Sequence, residues 1–303
     1  MSNETIDSLI GLMVNGSIPL SVTVKSSTNW TQFLLTITMT LVGSFGILLL
    51  LYLPRWLGTL KAGKLSKIAK FTRRNVVMIK HTEQDLFSSS MIDQSCLRKM
   101  SEIMNEMGGQ DFDLILHTPG GDIFSSLAIS RLIKQYPGTI RAIVPMYSMS
   151  GGSLLSLSCK ELLMAPNASL GPIDPQLGSL FKYGSAKSWD HIVKFKGKKA
   201  EDQSISFALI GQQYTKSIRT HLNKIIDFDL NNSQRTKLVK FLTDGTVEHG
   251  YPLTVTDLQR FGVSVYTLTN TRFLKILGKI ISSSGKERVN YYKIDKWWRK
   301  IFR

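Results

Sequence analysis

The chain has 303 residues, 43% of them hydrophobic, and a formal net charge of +16 at pH 7. This length and hydrophobic content allow one large domain or two smaller ones with a real core, and they exclude a disordered protein. Only 2 cysteines are present, which excludes a disulfide framework. Neither CxxC nor HExxH spacing occurs, so we expect no metal site and no cofactor.

The N-terminal part of the chain predicts a membrane anchor. The run from Phe33 to Leu53 is uncharged and mostly apolar, close to the roughly 20 residues that cross a bilayer core as a helix. Glu4 and Asp7 precede it, where a signal peptide would carry positive charge, so we expect no cleavage. Lys and Arg cluster directly after the run. This predicts residues 1–32 outside and the large domain in the cytoplasm.

Two segments concentrate the remaining positive charge, and each allows more than one interpretation. Residues 54–75 are expected to form a basic juxtamembrane linker, in which Leu57–Arg74 is either an amphipathic helix on an anionic lipid surface or a solvated stretch. Residues 269–303 form an aromatic, basic tail that suits a membrane interface, single-stranded nucleic acid or solvent. Because a membrane anchor is predicted in the same chain, we favour membrane lipid as the partner and expect no nucleic acid.

The region between these segments alternates strands with helices. Short connections between them predict parallel strands covered by helices, which is an α/β fold. A later region is mainly helical, and a lysine-rich stretch before it is expected to be solvated and flexible. The predicted strands are 76–79, 113–117, 140–145 and 161–165; the predicted helices are 90–107, 123–135, one from 153 to 158, those within 201–243, and 253–261; the tight loop is 167–175 and the lysine-rich stretch is 187–199.

Two Gly-rich turns, each after an apolar strand, are the features of the sequence that indicate catalytic chemistry. The first is His117–Asp122 and the second is Tyr147–Ser153. Among the serines of the second turn, only Ser150 is followed by Gly-Gly, which lets substrate and backbone approach a nucleophile closely. Alone, such a turn is more often structural than catalytic. Its pairing with a second Gly-Gly turn favours a nucleophile facing an oxyanion hole.

The backbone N–H groups of Gly121 and Gly151 are the predicted oxyanion donors. A phosphate-binding loop is the alternative for Gly120-Gly121, because Gly-rich strand-to-helix turns also hold phosphates. The chain contains neither GxGxxG nor GxxxxGK[ST], which disfavours that alternative.

The motifs resemble those of the ClpP/crotonase superfamily, in particular the signal peptide peptidase A-like membrane serine proteases and the serine dehydrogenase proteinase group. The resemblance covers about residues 76–266. It implies a ClpP/crotonase-like spiral of ββα units over 76–268, peptidase activity through Ser150, and a homo-oligomer. It rests on four ordered motifs, at 117–121, 150–152, 170–176 and 248–254.

The proton acceptor is the open question. At the position where ClpP-type enzymes place their histidine this chain has Pro175, so the resemblance to signal peptide peptidase A implies a lysine instead. Lys199 is the best positional match, although its distance from Gly197 is one residue short of that pattern. A lysine serves as a base only when desolvation lowers its pKa. The alternative lysines are Lys196, Lys198 and Lys216.

Histidines and one carboxylate complete the candidates. His117 can orient substrate or act as a structural histidine, and His191 can reach the site if its loop folds back. His249 is expected to cap the helix after it. Asp174 can line the site, contact another subunit or stabilise its own turn. None of the histidines has a carboxylate partner by sequence spacing, so a Ser-His-Asp triad has no support from the sequence.

These observations predict a single-pass membrane serine endopeptidase that cleaves peptides or membrane-protein fragments. Ser150 is the nucleophile, Gly121 and Gly151 bind the oxyanion, and Lys199 takes the proton. The alternative is a catalytically silent, membrane-anchored oligomeric scaffold that binds peptides or lipids. Acyl-CoA chemistry on the crotonase version of the fold is disfavoured, because a Ser-Gly-Gly turn has no role there.

Overall fold

The structure is a computed structural model that describes residues 30–81, 91–179, 182–226, 228–282 and 289–294. It divides into two units, residues 1–57 and residues 58–303. The predicted extracytoplasmic N-terminus, apart from residues 30–32, and the last nine positions of the predicted tail, 295–303, lie outside the described residues.

Helix α1 (Trp30–Thr72) is 43 residues long. Its residues from Phe33 to Ile47 are mostly apolar, and the large ones have 40% or more of their surface exposed. Among the described residues, no helix was found with the length and hydropathy of a membrane span. The anchor predicted at 33–53 is therefore not confirmed.

A six-stranded sheet forms the centre of unit 58–303. The strands are β1 (Asn75–Lys80), β2 (Phe112–His117), β3 (Ile140–Val144), β5 (Glu161–Met164), β10 (Val265–Thr267) and β11 (Val289–Tyr292). Their order across the sheet is β10-β5-β3-β2-β1-β11. The first five strands in this order are parallel to one another, and β11 joins β1 antiparallel. The parallel sheet confirms the predicted α/β class.

Helices cover both faces of this sheet, as a buried parallel sheet requires. On one face, the side chains of Val77, Ile79 and Leu114 belong to the larger core cluster. On the other face, Val76, Met78 and Ile115 pack in a second cluster. The helices after α1 are α2 (Gln94–Met107), α3 (Ile123–Gln135), α4 (Gly151–Ser158), α5 (Ala186–Lys196), α6 (Asp202–Ile225), α7 (Asn232–Thr243), α8 (Val255–Arg260) and α9 (Thr271–Ile281).

A second, three-stranded sheet positions the candidate site. It consists of β4 (Tyr147–Ser148), β6 (Ser169–Leu170) and β9 (Leu253–Thr254), in the order β4-β6-β9. Strands β4 and β6 are parallel, and β9 is antiparallel to β6. A separate hairpin is formed by β7 (Gln176–Ser179) and β8 (Lys182–Ser185).

Several sequence-based boundaries need correction. The segment predicted as a linker, 54–75, is helical to Thr72, because its apolar residues at helical spacing bury Leu65 and Ile68 in the second core cluster. The stretch 187–199 is helical rather than flexible, since Ser185 caps α5 by accepting from the N–H of Ser188. The tight loop predicted at 167–175 contains the short strand β6.

The predicted tail, 269–303, contains two elements of the folded domain. Helix α9 buries Phe273, Leu277 and Ile280, and strand β11 pairs with β1. The alternation of apolar and basic residues in this region therefore reflects one buried and one solvated face.

Candidate active site

The two Gly-rich turns meet in the structure. Thr118 and Ser148 form an isolated parallel bridge, in which the N–H of Met149 donates to the oxygen of Thr118 at 2.9 Å. Gly120 has φ +110°, and a Cβ added to it would lie 2.8 Å from the Cβ of Ser150. The first turn therefore faces Ser150 closely, and this approach requires a residue without a side chain.

Ser150 has a strained backbone. Its φ of 49° and ψ of −117° place it outside the regions that L-residues prefer. Among the described non-glycine residues, only Arg73 also has a positive φ. Ser150 stands directly before α4, all of whose residues are buried, yet its side chain forms no capping hydrogen bond. Strain at a strand-to-helix turn, on a serine whose hydroxyl does not cap the helix, is typical of a nucleophile.

Two backbone amides lie beside this serine. Within the residues that the structure describes, the N–H groups of Gly121 and Gly151 donate to no acceptor. They are neighbours, because a Cβ added to Gly151 would lie 3.6 Å from the nitrogen of Gly121. The flanking chain is fixed by Ile92, whose oxygen accepts from the N–H of Asp122 at 2.8 Å. Two such N–H groups next to a serine form the arrangement that a developing oxyanion requires.

A buried hydrogen-bonded chain supports the first turn, and the sequence did not reveal it. The Oγ1 of Thr118 accepts from the N–H of Gly120 at 3.1 Å. The same Oγ1 lies 2.7 Å from Nδ1 of His81, and the Nε2 of His81 lies 3.8 Å from Sγ of Cys96. These side chains are fully buried. The only sequence signal was a histidine immediately after a buried strand.

His117 lies at the end of β2 with its side chain buried. Its ring centroid is 4.3 Å from that of Tyr147. Its Nδ1 has no hydrogen-bond partner among the described residues. Burial, and secondly the charge of Lys80, lower the pKa of His117 to about 4. This histidine is therefore neutral at neutral pH.

The other predicted bases are on the surface. His191 is exposed on α5, and Lys199 is exposed on the 3-10 turn Gly197–Lys199. Lys196, Lys198 and Lys216 are exposed as well. In the described part of the chain, no hydrogen bond or ion pair brings Lys199 to Ser150.

Asp174 has a histidine partner that sequence spacing did not reveal. Its Oδ1 lies 2.7 Å from Nδ1 of His249, and its Oδ2 accepts from Nε2 of Gln176 at 2.7 Å. Asp174 is buried, while the side chain of His249 has 34% of its surface exposed. The expected capping role of His249 was wrong. Helix α8 is instead capped by Thr254, whose hydroxyl accepts from the N–H of Asp257.

Comparison with known proteins identifies similar chains. Residues 72–285 match the family described as ClpP-like SDH-type serine proteinases. Two uncharacterized proteins of Methanocaldococcus jannaschii are similar in sequence. MJ0137 is 36% identical over 51% of this chain and 53% of its own length. MJ1495 is 32% identical over 59% of this chain and 60% of its own length. The chain thus spans little more than half the length of these curated relatives.

The chain also has similarity to solved structures. One is the 1510-N membrane-bound stomatin-specific protease, solved as a mutant in complex with a substrate peptide. It is 17% identical, covers 61% of this chain and 74% of its own, and has a TM-score of 0.43. Another is ClpP1 from Listeria monocytogenes, which is 14% identical, covers 69% and 99% of the two chains, and has a TM-score of 0.40. The family match confirms the resemblance that the motifs predicted.

Proposed function

Because the chain belongs to the family of ClpP-like SDH-type serine proteinases, we propose that it is a serine peptidase with Ser150 as its nucleophile. The backbone of Ser150 is the observation that carries this proposal. It is held at φ 49° and ψ −117° on the turn into a buried helix, with its hydroxyl unused by the helix cap. A strained residue persists only where the surrounding structure enforces it, and such strain clusters at active sites.

In the proposed reaction, Oγ of Ser150 attacks the scissile carbonyl carbon of a peptide. The N–H groups of Gly121 and Gly151 bind the oxyanion that forms. The C–N bond then breaks, the amine leaves with a proton, and water hydrolyses the acyl-enzyme. Removing one donor from an oxyanion hole lowers kcat by about 100- to 1,000-fold, so the two amides supply a large part of the rate.

Lys199 is the lysine that the sequence predicts as the proton acceptor of this reaction. A catalytic lysine needs burial to lower its pKa toward neutrality. The ammonium group of Lys199 is on the surface of the 3-10 turn. Its role therefore depends on a change that buries it.

We also propose that α1 anchors the peptidase in a membrane through residues 33–53. Apolar side chains are exposed along the described part of this run, for example 57% of Phe33, 69% of Val42 and 67% of Phe45. Its hydroxyl groups bond within the helix, as from Oγ of Ser44 to the oxygen of Thr40 at 2.7 Å. Both features suit a helix in hydrocarbon, where backbone and hydroxyl groups have no water to bind.

The proposed topology follows from the basic residues after the anchor, which favour a cytoplasmic domain. The proposed substrates are peptides or membrane-protein fragments, and the proposed partners are membrane lipid and further copies of this chain. Single cysteines introduced at Ser2 and at Ser233 test the topology. A membrane-impermeant maleimide on intact cells should label Ser2→Cys and not Ser233→Cys. The reverse pattern would contradict the cytoplasmic location of the domain.

A fluorophosphonate probe tests the peptidase proposal on the full chain in detergent. We expect the probe to label the wild-type protein and not Ser150→Ala. The exposed Ser233 on α7 provides the control, since Ser233→Ala should label like the wild type. Peptide mass analysis should place the probe on Ser150. Absence of labelling in the wild-type oligomer would favour the catalytically silent scaffold instead.

A further inference from the structure

An aromatic side chain is exposed among lysines at the end of helix α5. Phe195 has 86% of its surface exposed, the largest fraction among the exposed large hydrophobic side chains of the described residues. Lys194 and Lys196 flank it in the last turn of the helix, and the 3-10 turn Gly197–Lys199 adds two more lysines. All four lysines are exposed. We call residues 194–199 the basic tip. A phenylalanine in water lacks the stabilisation that burial gives, so packing within the described chain does not explain its position.

The basic tip ends a hairpin of two helices that are fixed to each other. The ring centroid of Trp189 on α5 is 5.0 Å from that of Phe207 on α6. The indole Nε1 of Trp189 also donates to the oxygen of Leu177 on β7 at 3.0 Å. Nearby, Nε2 of Gln212 on α6 donates to Oδ1 of Asp190 on α5 at 2.9 Å. The tip is therefore presented by an ordered support.

Helical spacing places Phe195 on the outer face of α5. The inner face is marked by Trp189, which is buried, and by Val193 four positions later, which is half-buried. Lys187, His191 and Phe195 also recur at intervals of four, which puts them on one face. All three are exposed. This second face is opposite the first, because its residues are offset from the inner ones by two positions.

The acidic residues near the basic tip leave an excess of positive charge. The segment 187–202 contains five lysines and three carboxylates. Asp190 forms an ion pair with Lys194 at 2.6 Å, and Glu201 forms one with the lysine of β8. Asp202, in the first turn of α6, is the third carboxylate. Within the described part of the chain, the two lysines of the 3-10 turn form no ion pair.

An exposed aromatic ring among lysines has the chemistry that binds the surface of an anionic bilayer. The ring enters the boundary between headgroups and acyl chains, and the lysine stems extend so that their ammonium groups reach the phosphates. We propose that the basic tip docks on anionic membrane lipid, with Phe195 inserted and Lys196, Lys198 and Lys199 at the headgroups. Two basic tips of neighbouring copies would repel each other, which disfavours a second copy as the occupant.

This inference rests on the proposed lipid partner and specifies where that lipid binds. It is independent of the peptidase reaction, because it assigns no step of the chemistry to the basic tip. It also gives the lysine-rich stretch a role that requires its lysines to stay on the surface, where the structure places them.

A dye attached beside the basic tip tests the inference on the full chain in lipid vesicles. The dye is carried by His191→Cys, one turn before Phe195 on the same face, and the two native cysteines are buried. We expect quenchers on the lipid acyl chains to quench this dye at least fivefold more in vesicles containing phosphatidylglycerol than in pure phosphatidylcholine, since one lysine contributes about fivefold at an anionic surface. Salt at about 0.5 M should reduce the difference by screening. A dye on Ser233→Cys, exposed on α7, should not respond to lipid composition.

Substitutions in the dye-bearing protein separate the aromatic contribution from the charged one. Phe195→Ser should lower the ratio of docked to free tip by about tenfold or more, because the apolar ring no longer leaves water. Lys196→Glu combined with Lys198→Glu should lower the same ratio by about 25-fold or more, since each of the two lysines contributes about fivefold.

Matched controls remove similar side chains elsewhere on the surface. Tyr266→Ser removes another exposed aromatic ring, on β10, and should leave the ratio unchanged. Lys237→Glu combined with Lys240→Glu makes the same change of charge at exposed positions of α7 and should also leave it unchanged. An unfolding temperature equal to that of the wild type would show that each variant folds.

Two results would overturn the inference. One is equal quenching in the wild type and in Phe195→Ser, or no quenching in vesicles that contain phosphatidylglycerol. The other is a dye response in detergent without lipid that depends on protein concentration, which would assign the basic tip to contact between copies. Resistance to extraction by alkaline carbonate tests the anchor in α1 separately, and the rate of fluorophosphonate labelling of Ser150 tests the peptidase. The three proposals can therefore fail independently.

Discussion

The two Gly-rich turns and the lysine-rich stretch 187–199 supply candidates for the same reaction, and they occupy opposite environments. Around Ser150, the turns are joined by backbone hydrogen bonds, and their residues are largely buried. The lysines of the stretch point into solvent, and those with described partners, such as Lys194 with Asp190, form surface ion pairs. The fold therefore fixes Ser150, the two amides and the Asp174–His249 pair in place, and it leaves the lysines in solvent. A group that must act as a base needs the same fixation.

The largest expected effect tests how tightly the first turn is fixed. A Cβ in Gly121→Ala would lie 2.2 Å from the oxygen and 2.4 Å from the nitrogen of Ile92, so the backbone must move. We expect labelling to fall by about 100-fold or more because the amide shifts. The free energy of unfolding should fall by about 1–3 kcal/mol through overpacking.

Gly278 offers the matched control for this substitution. It lies inside α9, and a Cβ there would meet no atom of the described residues within 4 Å. Gly278→Ala should keep the wild-type labelling rate and raise the free energy of unfolding by about 0.5–1 kcal/mol. A wild-type labelling rate in Gly121→Ala would show that the first Gly-rich turn is not rigidly fixed.

A pH experiment compares a buried histidine with an exposed one. In the folded protein the pKa of His117 is lowered to about 4, from a usual value near 6.5. Below pH 6.5 the unfolded chain therefore binds a proton that the folded chain does not. The stabilisation is complete above pH 6.5 and is lost as the pH falls toward 4. Each pKa unit corresponds to about 1.4 kcal/mol, so the loss reaches about 3 kcal/mol.

His117→Phe should flatten this part of the stability–pH curve, as measured by denaturant unfolding between pH 4 and 7. His191→Gln, on the exposed face of α5, should leave the curve unchanged. The buried His221, whose pKa burial also lowers, is present in all three proteins, so the difference isolates His117. Equal slopes in the wild type and His117→Phe would contradict the burial of a neutral His117.

A smaller effect is expected from substitution of Ser153, which connects the strand before Ser150 to the loop after β6. Oγ of Ser153 bonds to both Ser148 and Gly171, and all of these groups are buried. Ser153→Ala should lower the free energy of unfolding by about 1–3 kcal/mol, because it leaves buried polar groups without a partner. Ser158→Ala is the control, since among the described residues its Oγ bonds only to the oxygen of Leu154, within α4. If Ser158→Ala lowered the free energy of unfolding as much as Ser153→Ala, the hydrogen bonds of Ser153 would have no special role in stability.

The sequence predicted the features of the site that depend on local structure. Apolar runs that end in Gly-rich turns identified β2 and the turn of Ser150, because strand burial and glycine spacing are properties of neighbouring residues. The pairing of His249 with Asp174 depends on how β6 and β9 come together, and no local spacing encodes it. The same reason explains why His81 behind Thr118 was missed. Strand β11 was missed because its residues lie in a basic, aromatic segment that also suits a membrane interface.

The smallest expected effect concerns the lysine stretch itself. If Lys199 remains solvated throughout the reaction, Lys199→Ala should change the labelling rate by no more than about twofold, as for other surface substitutions. Its neighbour Lys198, also exposed on the same 3-10 turn, is the matched control. A loss of labelling specific to Lys199→Ala would mean that this turn closes over Ser150 and becomes desolvated when substrate binds. In that case the contrast between the ordered turns and the solvated stretch would hold only for the free protein, and the lysine would gain the burial that a base needs.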